Sequence, residues 1–107
     1  MKQVIYNKLV RDRIPEIIAA SGRRCDTRVL SEAEYLAALK AKLREEVAEY
    51  EESGDPEELA DILEAVHALA ATGGGTPAGL EAMRAQKARA RGGFAGRIML
   101  LSVDGAD

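Results

Sequence analysis

Two acidic clusters flanking a turn constrain the fold of this chain more than anything else in its sequence. The first is Glu45-Glu46-Val47-Ala48-Glu49 and the second Glu57-Glu58-Leu59-Ala60-Asp61, with Ser53-Gly54-Asp55-Pro56 between them. Each cluster holds an acidic pair at i, i+3, Glu46 with Glu49 and Glu58 with Asp61, and such pairs lie on one helix face. Counted from Gly54, Glu49 is five residues back and Glu58 four forward; Glu46 is eight back and Asp61 seven forward. At about 1.5 Å rise per residue, the members of each pairing come to nearly the same height once the turn folds the two helices into a hairpin. Four carboxylates then converge. Carboxylates held together out of water repel one another, so the group calls for cations, and oxygen-only ligands select hard ions, Mg²⁺ or Mn²⁺ before zinc. A plainer reading stays open for Glu58. With Asp55 as cap and Pro56 at the first position, Glu58 closes a capping box, which needs no metal. Acidic pairs on helices are also commonly just solvated.

The 107 residues suffice for one domain with a modest core. The aromatic residues are Tyr6, Tyr35, Tyr50 and Phe94, so Leu, Ile, Val and Ala must supply the core, and the Ala- and Leu-rich middle favours helices. Cys25 is the single cysteine and excludes an internal disulfide; with His67 the single histidine, the usual structural zinc sites are excluded too. No apolar run is long enough to span a membrane and no secretory signal is present, so a cytoplasmic protein without a membrane partner is expected. The net charge of −3 is segregated: residues 31–64 carry twelve acids and three bases, the rest twelve bases and six acids. That suits a cation-loaded centre with basic arms that hold an anion, or simple attraction between elements. The overall acidity argues against nucleic acid as a partner.

Along the chain, residues 2–13 read as an irregular arm mixing Lys2, Lys8, Arg11 and Arg13 with apolar positions. Pro15 starts a short helix that Gly22 stops. Residues 24–30 alternate weakly and read as a short strand. Ser31 caps a second helix, Glu34 completes its capping box and Leu30 staples to Tyr35. This helix runs to about Ser53 with Leu36, Leu39, Leu43, Val47 and Tyr50 as its apolar stripe; Glu46 lies at the stripe's edge, with Glu49 beside it. A third helix runs from Pro56 to about Ala71, with Leu59, Ile62, Leu63, Val66 and Leu69 inward, Glu58 and Asp61 on one flank and His67 on the other. Thr72-Gly73-Gly74-Gly75 breaks it. Thr76-Pro77 starts a fourth helix, which ends near Arg91 before Gly92-Gly93. Residues 97–103 are an apolar strand candidate whose expected partner is the 24–30 segment. The Gly73–Gly75 run lacks the Lys-Ser/Thr of a phosphate loop. The fold expected is mainly all-α in one domain, residues 1–107, with a small terminal β pairing.

The pattern Glu45-Glu46-Val47-Ala48-Glu49 followed by Glu58-Leu59-Ala60-Asp61 resembles that of the MazG-like, all-α nucleoside triphosphate pyrophosphohydrolase superfamily. Tyr6-Asn7-Lys8-Leu9-Val10-Arg11-Asp12-Arg13-Ile14-Pro15-Glu16-Ile17-Ile18 at one end, and Arg91-Gly92-Gly93-Phe94 with Arg97-Ile98 to Leu101 at the other, resemble its phosphoribosyl-ATP pyrophosphohydrolase-like subgroup. The resemblance implies Mg²⁺-dependent hydrolysis of a nucleoside triphosphate to monophosphate and pyrophosphate, with Mn²⁺ a possible substitute. It implies Glu46, Glu49, Glu58 and Asp61 as metal ligands and Glu45 as an auxiliary acid that orients ligands or takes a proton from water. It also points to a homo-oligomer with four-helix assemblies around each site, as does the small core. No Ser-His or Cys-His nucleophile set is available, so direct attack by water is the economical mechanism.

The candidate phosphate-holding bases are Lys8, Arg11 and Arg13 in the arm and Lys87 and Arg91 near the end of the fourth helix. Lys87 and Arg91 also suit the dipole at that helix's C-terminus. Nucleotide-pool house-cleaning is the expected role. Phosphoribosyl-ATP hydrolysis in histidine synthesis is an alternative, as is a catalytically silent nucleotide or metal sensor or a helical dimerisation module. A calcium loop is excluded: the acids lie on helices and no Asp-x-Asp-x-Asp-Gly run is present.

Overall fold

Four helices, each started and stopped by local chemistry, account for the regular structure in a computed structural model that describes residues 3–105. Helix α1 (Ile14–Ala20) carries Pro15 in its first turn, where the missing N–H has no acceptor to lose, and ends where Gly22 turns left-handed at φ +85°. Helix α2 (Glu32–Ser53) begins with a complete capping box. The Ser31 hydroxyl accepts from Glu34 N–H at 3.3 Å, and the Ser31 N–H donates to the Glu34 carboxylate at 3.1 Å. Arg28 adds a fork onto the same carboxylate at 3.2 and 2.9 Å, and with the capping bonds it holds the Glu34 carboxyl down at about 2.

The turn after α2 sets the geometry of the hairpin. Gly54 adopts φ +67°, where a side chain is strained, and its N–H donates to Tyr50 C=O at 2.8 Å. Helix α3 (Pro56–Thr72) starts at once: the Asp55 carboxylate accepts from Glu57 N–H at 3.0 Å, while the Asp55 N–H donates to Ser53 Oγ at 3.1 Å. Helix α4 (Pro77–Arg91) follows, its Thr76 hydroxyl accepting from Gly79 N–H at 3.0 Å. The helix boundaries expected from the sequence fall within one residue of those observed.

Helices α2 and α3 pack along each other as an antiparallel hairpin, and α3 also touches α4; no other helix pair packs among the described residues. Leu39 and Ala65 are the buried apolar residues of the hairpin, at 3% and 5% exposure. The inward stripes are narrower than expected. Leu36 and Val47 on α2 and Leu59 and Leu63 on α3 are exposed, because two helices can cover only one sector of each other. The expected β pairing is absent. No strand occurs among the described residues, and no backbone hydrogen bond joins residues 24–30 to 97–103. Apolar alternation shows that a segment can pleat, but a strand exists only where another backbone meets it, and within one copy none does. No helix of the described residues is long and apolar enough to cross a membrane.

Candidate metal centre

The hairpin brings the acidic pairs together near its turn. One carboxylate oxygen each from Glu46, Glu58 and Asp61 lies within 4.8 Å of the other two, a spacing at which one cation can touch all three. Glu46 is buried, at 5% exposure, and Glu58 and Asp61 are half-buried. The capping box that would engage Glu58 does not form: Ser53 takes the Asp55 N–H, so the Glu58 carboxyl is left to the cluster. Glu49 is exposed and lies outside this triad, but it is close enough for its charge to act on Glu58.

The electrostatics show what such crowding costs. Burial pushes the Glu58 carboxyl up to about 7, and the negative charges of Glu49 and Asp61 push the same way. Oε2 of Glu46 and Oε2 of Glu58 are buried with no hydrogen-bond partner. A buried carboxylate oxygen without a donor or cation is destabilising, and two beside a third carboxylate make an oxygen-only set suited to a hard divalent ion. The residues present therefore fit a metal of the Mg²⁺ or Mn²⁺ type.

Three cations border the cluster. Lys42, one turn before Glu46 on α2 and largely covered, places Nζ 3.2 Å from Glu46 Oε1 and 3.6 Å from Glu45 Oε1. From the arm, Lys8 reaches Glu45 at 3.3 Å and the Arg11 guanidinium donates to Asp61 at 2.6 Å. Asn7 bends the arm just before them at φ +46°, a left-handed conformation that asparagine tolerates. The other candidate bases are not brought here within one copy. Arg13 pairs with Glu16 on its own helix at 3.5 Å, and neither Lys87 nor Arg91 has an ion-pair partner among the described residues.

Against the cluster lies a cavity of about 430 Å³ between the arm, α2 and α3, a size that takes a nucleoside-sized ligand. Leu9, Ile14, Tyr35, Leu39 and Ala68 give it an apolar wall, and Glu46, Asp61, Arg11 and Lys42 a charged one. Sequence reasoning passed over Lys42 and Tyr35. The i, i+4 spacing of Lys42 and Glu46 was the available signal for the first; a lone tyrosine in the first turn of a helix gave none for the second.

No family model matches the chain, and no solved structure does. An uncharacterized protein of Mycolicibacterium smegmatis is 69% identical to it over 42 residues, a stretch covering 39% of this chain and 43% of that protein.

Proposed function

We propose that this chain is a divalent-metal-dependent hydrolase that splits a nucleoside triphosphate into monophosphate and pyrophosphate. The observation that carries the reading is the triad of Glu46, Glu58 and Asp61, two of whose buried oxygens lack any partner and two of whose members, Glu46 and Asp61, line a cavity of nucleoside size. Glu46, Glu58 and Asp61 would hold the ion, with Glu49 completing the set from the exposed side. A bound Mg²⁺ or Mn²⁺ offsets phosphate charge and acidifies a water. Glu45, one residue from Glu46 and ion-paired with Lys8 and Lys42 through one oxygen, is the carboxylate that would orient that water and accept its proton. Arg11 and Lys8 are the bases nearest the metal that can turn from the acids to the phosphates. Both side chains are about half exposed, so exchanging a carboxylate for a phosphate is not sterically resisted. The apolar wall of Leu9, Ile14 and Tyr35 takes the nucleoside and keeps bulk water from the reacting phosphate.

The test is a screen of nucleoside triphosphates and phosphoribosyl-ATP with Mg²⁺, detecting pyrophosphate. Turnover of a common triphosphate supports house-cleaning, and turnover of phosphoribosyl-ATP alone supports the biosynthetic role. No release from any of them, with metal bound, turns the reading to a silent binding module.

A further inference from the structure

We infer that Glu64 reads the sugar of the bound nucleotide: its carboxylate accepts a hydrogen bond from the ribose 2′-hydroxyl, so the site takes ribonucleotides ahead of their 2′-deoxy counterparts. The identity of the ligand as a nucleotide rests on the function proposed above. What is added is the residue that selects its sugar, and with it the substrate class.

The cavity has a direction. Counted from Gly54, Glu46 stands eight residues back and Asp61 seven forward; Glu64 is ten forward, Ala68 fourteen forward, Leu39 fifteen back and Tyr35 nineteen back. All of these line the same cavity. At about 1.5 Å of rise per residue, Glu64 stands roughly 4.5 Å beyond Asp61 along the hairpin, and Ala68 roughly 6 Å beyond Glu64. The order outward from the turn is therefore two triad carboxylates, then Glu64, then an apolar end formed by Leu39, Ala68 and Tyr35. A nucleotide whose phosphates lie at the triad puts its sugar next and its base last. Glu64 falls at the level of the sugar.

Local structure holds it there. On α3, Glu64 follows Asp61 by three residues, and Ala65 and Ala68 follow by four and seven, so all four share one helix face. Ala65 and Ala68 are small, which leaves room beside the carboxylate. A side chain carried on a helix is placed more precisely than one on a loop.

Charge says what the group can do. A carboxylate accepts hydrogen bonds and donates none, and it repels a polyphosphate, so a phosphate role is excluded for it. The cations nearby are committed elsewhere: Lys42 pairs with Glu46 and Glu45 at 3.2 and 3.6 Å, and Arg11 with Asp61 at 2.6 Å. Among the described residues, no hydrogen bond or ion pair engages the Glu64 carboxylate. The donor that a nucleotide offers at this level is a sugar hydroxyl; the N–H groups of the base lie farther on, toward the apolar end. The other acid that lines the cavity outside the triad, Asp12, adjoins Arg11 at the phosphate end.

The test compares each ribonucleoside triphosphate with its 2′-deoxy and 2′-fluoro analogues on the full chain with Mg²⁺, by kcat/KM for pyrophosphate release. The corresponding monophosphates, which do not turn over, are compared by titration calorimetry. A hydrogen bond to a charged group is worth about tenfold, so the ribonucleotides should lead by about tenfold in both measures. The 2′-fluoro analogues have no proton to donate there and should behave as the deoxy ones. Glu64→Ala should bring the ribo-to-deoxy ratio close to 1. It is an exposed change to the best helix former, so the fold should stay. A purely repulsive effect of the Glu64 charge would move ribo and deoxy alike and leave the ratio unchanged. Equal use of ribo and deoxy by the wild type, or a ratio that survives Glu64→Ala, overturns the sugar contact while pyrophosphate release still upholds the hydrolase. A ribo preference among the monophosphates that Glu64→Ala removes, with no pyrophosphate from any triphosphate, upholds the contact and overturns the hydrolase. Binding of no nucleotide overturns both.

Discussion

Metal affinity should rise about tenfold between pH 6 and pH 8, and the rise should vanish in Glu58→Gln. Glu58 is held at about 7 in the metal-free fold, yet a carboxyl must lose its proton to ligate. The fraction available is then about 1 in 11 at pH 6 and about 10 in 11 at pH 8, which gives the tenfold ratio. Binding should release about 0.9 proton at pH 6 and about 0.1 at pH 8. Titration calorimetry with Mn²⁺ in two buffers of different ionisation enthalpy reads both quantities. Stability of the metal-free chain should run the other way. The unfolded carboxyl titrates near 4.5, so between 4.5 and 7 the folded chain holds a proton that the unfolded chain has released. The contribution of this group is therefore full below 4.5 and lost as pH rises through 7. Glu34, depressed to about 2, contributes above 4.5 and loses that only as pH falls toward 2, so it is constant over this window. Melting temperature should thus fall from pH 5 to pH 8 without metal, and the stabilisation added by Mn²⁺ should grow over pH 6 to 8. Equal Mn²⁺ affinity at pH 6 and pH 8 would refute the assignment of Glu58 as a crowded ligand.

Asp61→Asn should lower pyrophosphate release at least ~100-fold with the helical signal intact. It also breaks the Arg11 pair, which is exposed and worth ~0.2–1 kcal/mol, so the metal-free melting temperature should move little. A rate near wild type would reduce the acids to a solvated face. Ser31→Ala should cost ~1 kcal/mol in urea unfolding and leave the rate per folded molecule unchanged, since it removes the start of α2 and nothing near the cluster. Leu39→Ala, at the one deeply buried leucine, should cost ~2–5 kcal/mol; a smaller loss would mean that a second copy, not the hairpin, supplies the core.

The parts that were legible in the sequence are those decided within a few residues. The Ser31 box, the Gly54 turn and the Thr76-Pro77 start each rest on bonds spanning at most four positions, so residue type fixes them. The matched heights of the acidic pairs follow from helix rise once the turn is known, and Glu46, Glu58 and Asp61 do meet. Two readings of Glu58 could not be separated beforehand, because the choice depended on whether Ser53 would take the Asp55 N–H. The arm was opaque for another reason. It has no periodicity, so nothing said that Arg11 would meet Asp61, fifty residues away, while Arg13 turned to Glu16. The strands failed because pairing is a property of two segments, and the apolar stripes failed at Leu59 and Leu63 because burial depends on what covers them.

The cations around the cluster explain how the acids can be assembled in one place. Glu45, Glu46, Glu49, Glu58 and Asp61 would carry five negative charges close to the hairpin turn, and Lys8, Arg11 and Lys42 answer three of them. The proton kept by Glu58 up to about 7 answers most of a fourth. These neutralisers are not equivalent. Lys42 is on the same helix as Glu46 and largely covered, so it stays and fixes the first oxygen of buried Glu46 while the second has no partner. The proton is exchangeable, and Arg11 and Lys8 sit on an arm with about half their side chains in solvent. A divalent ion would displace the proton and weaken the hold on Arg11, releasing a guanidinium beside the cavity as a polyanion enters. On this account Lys42→Met should damage the fold, through an unpaired buried Glu46, whereas Arg11→Met should leave the fold and weaken polyphosphate binding. Thermal melts and pyrophosphate release on the two variants separate these roles, and equal loss of stability in both would show that the arm is merely structural.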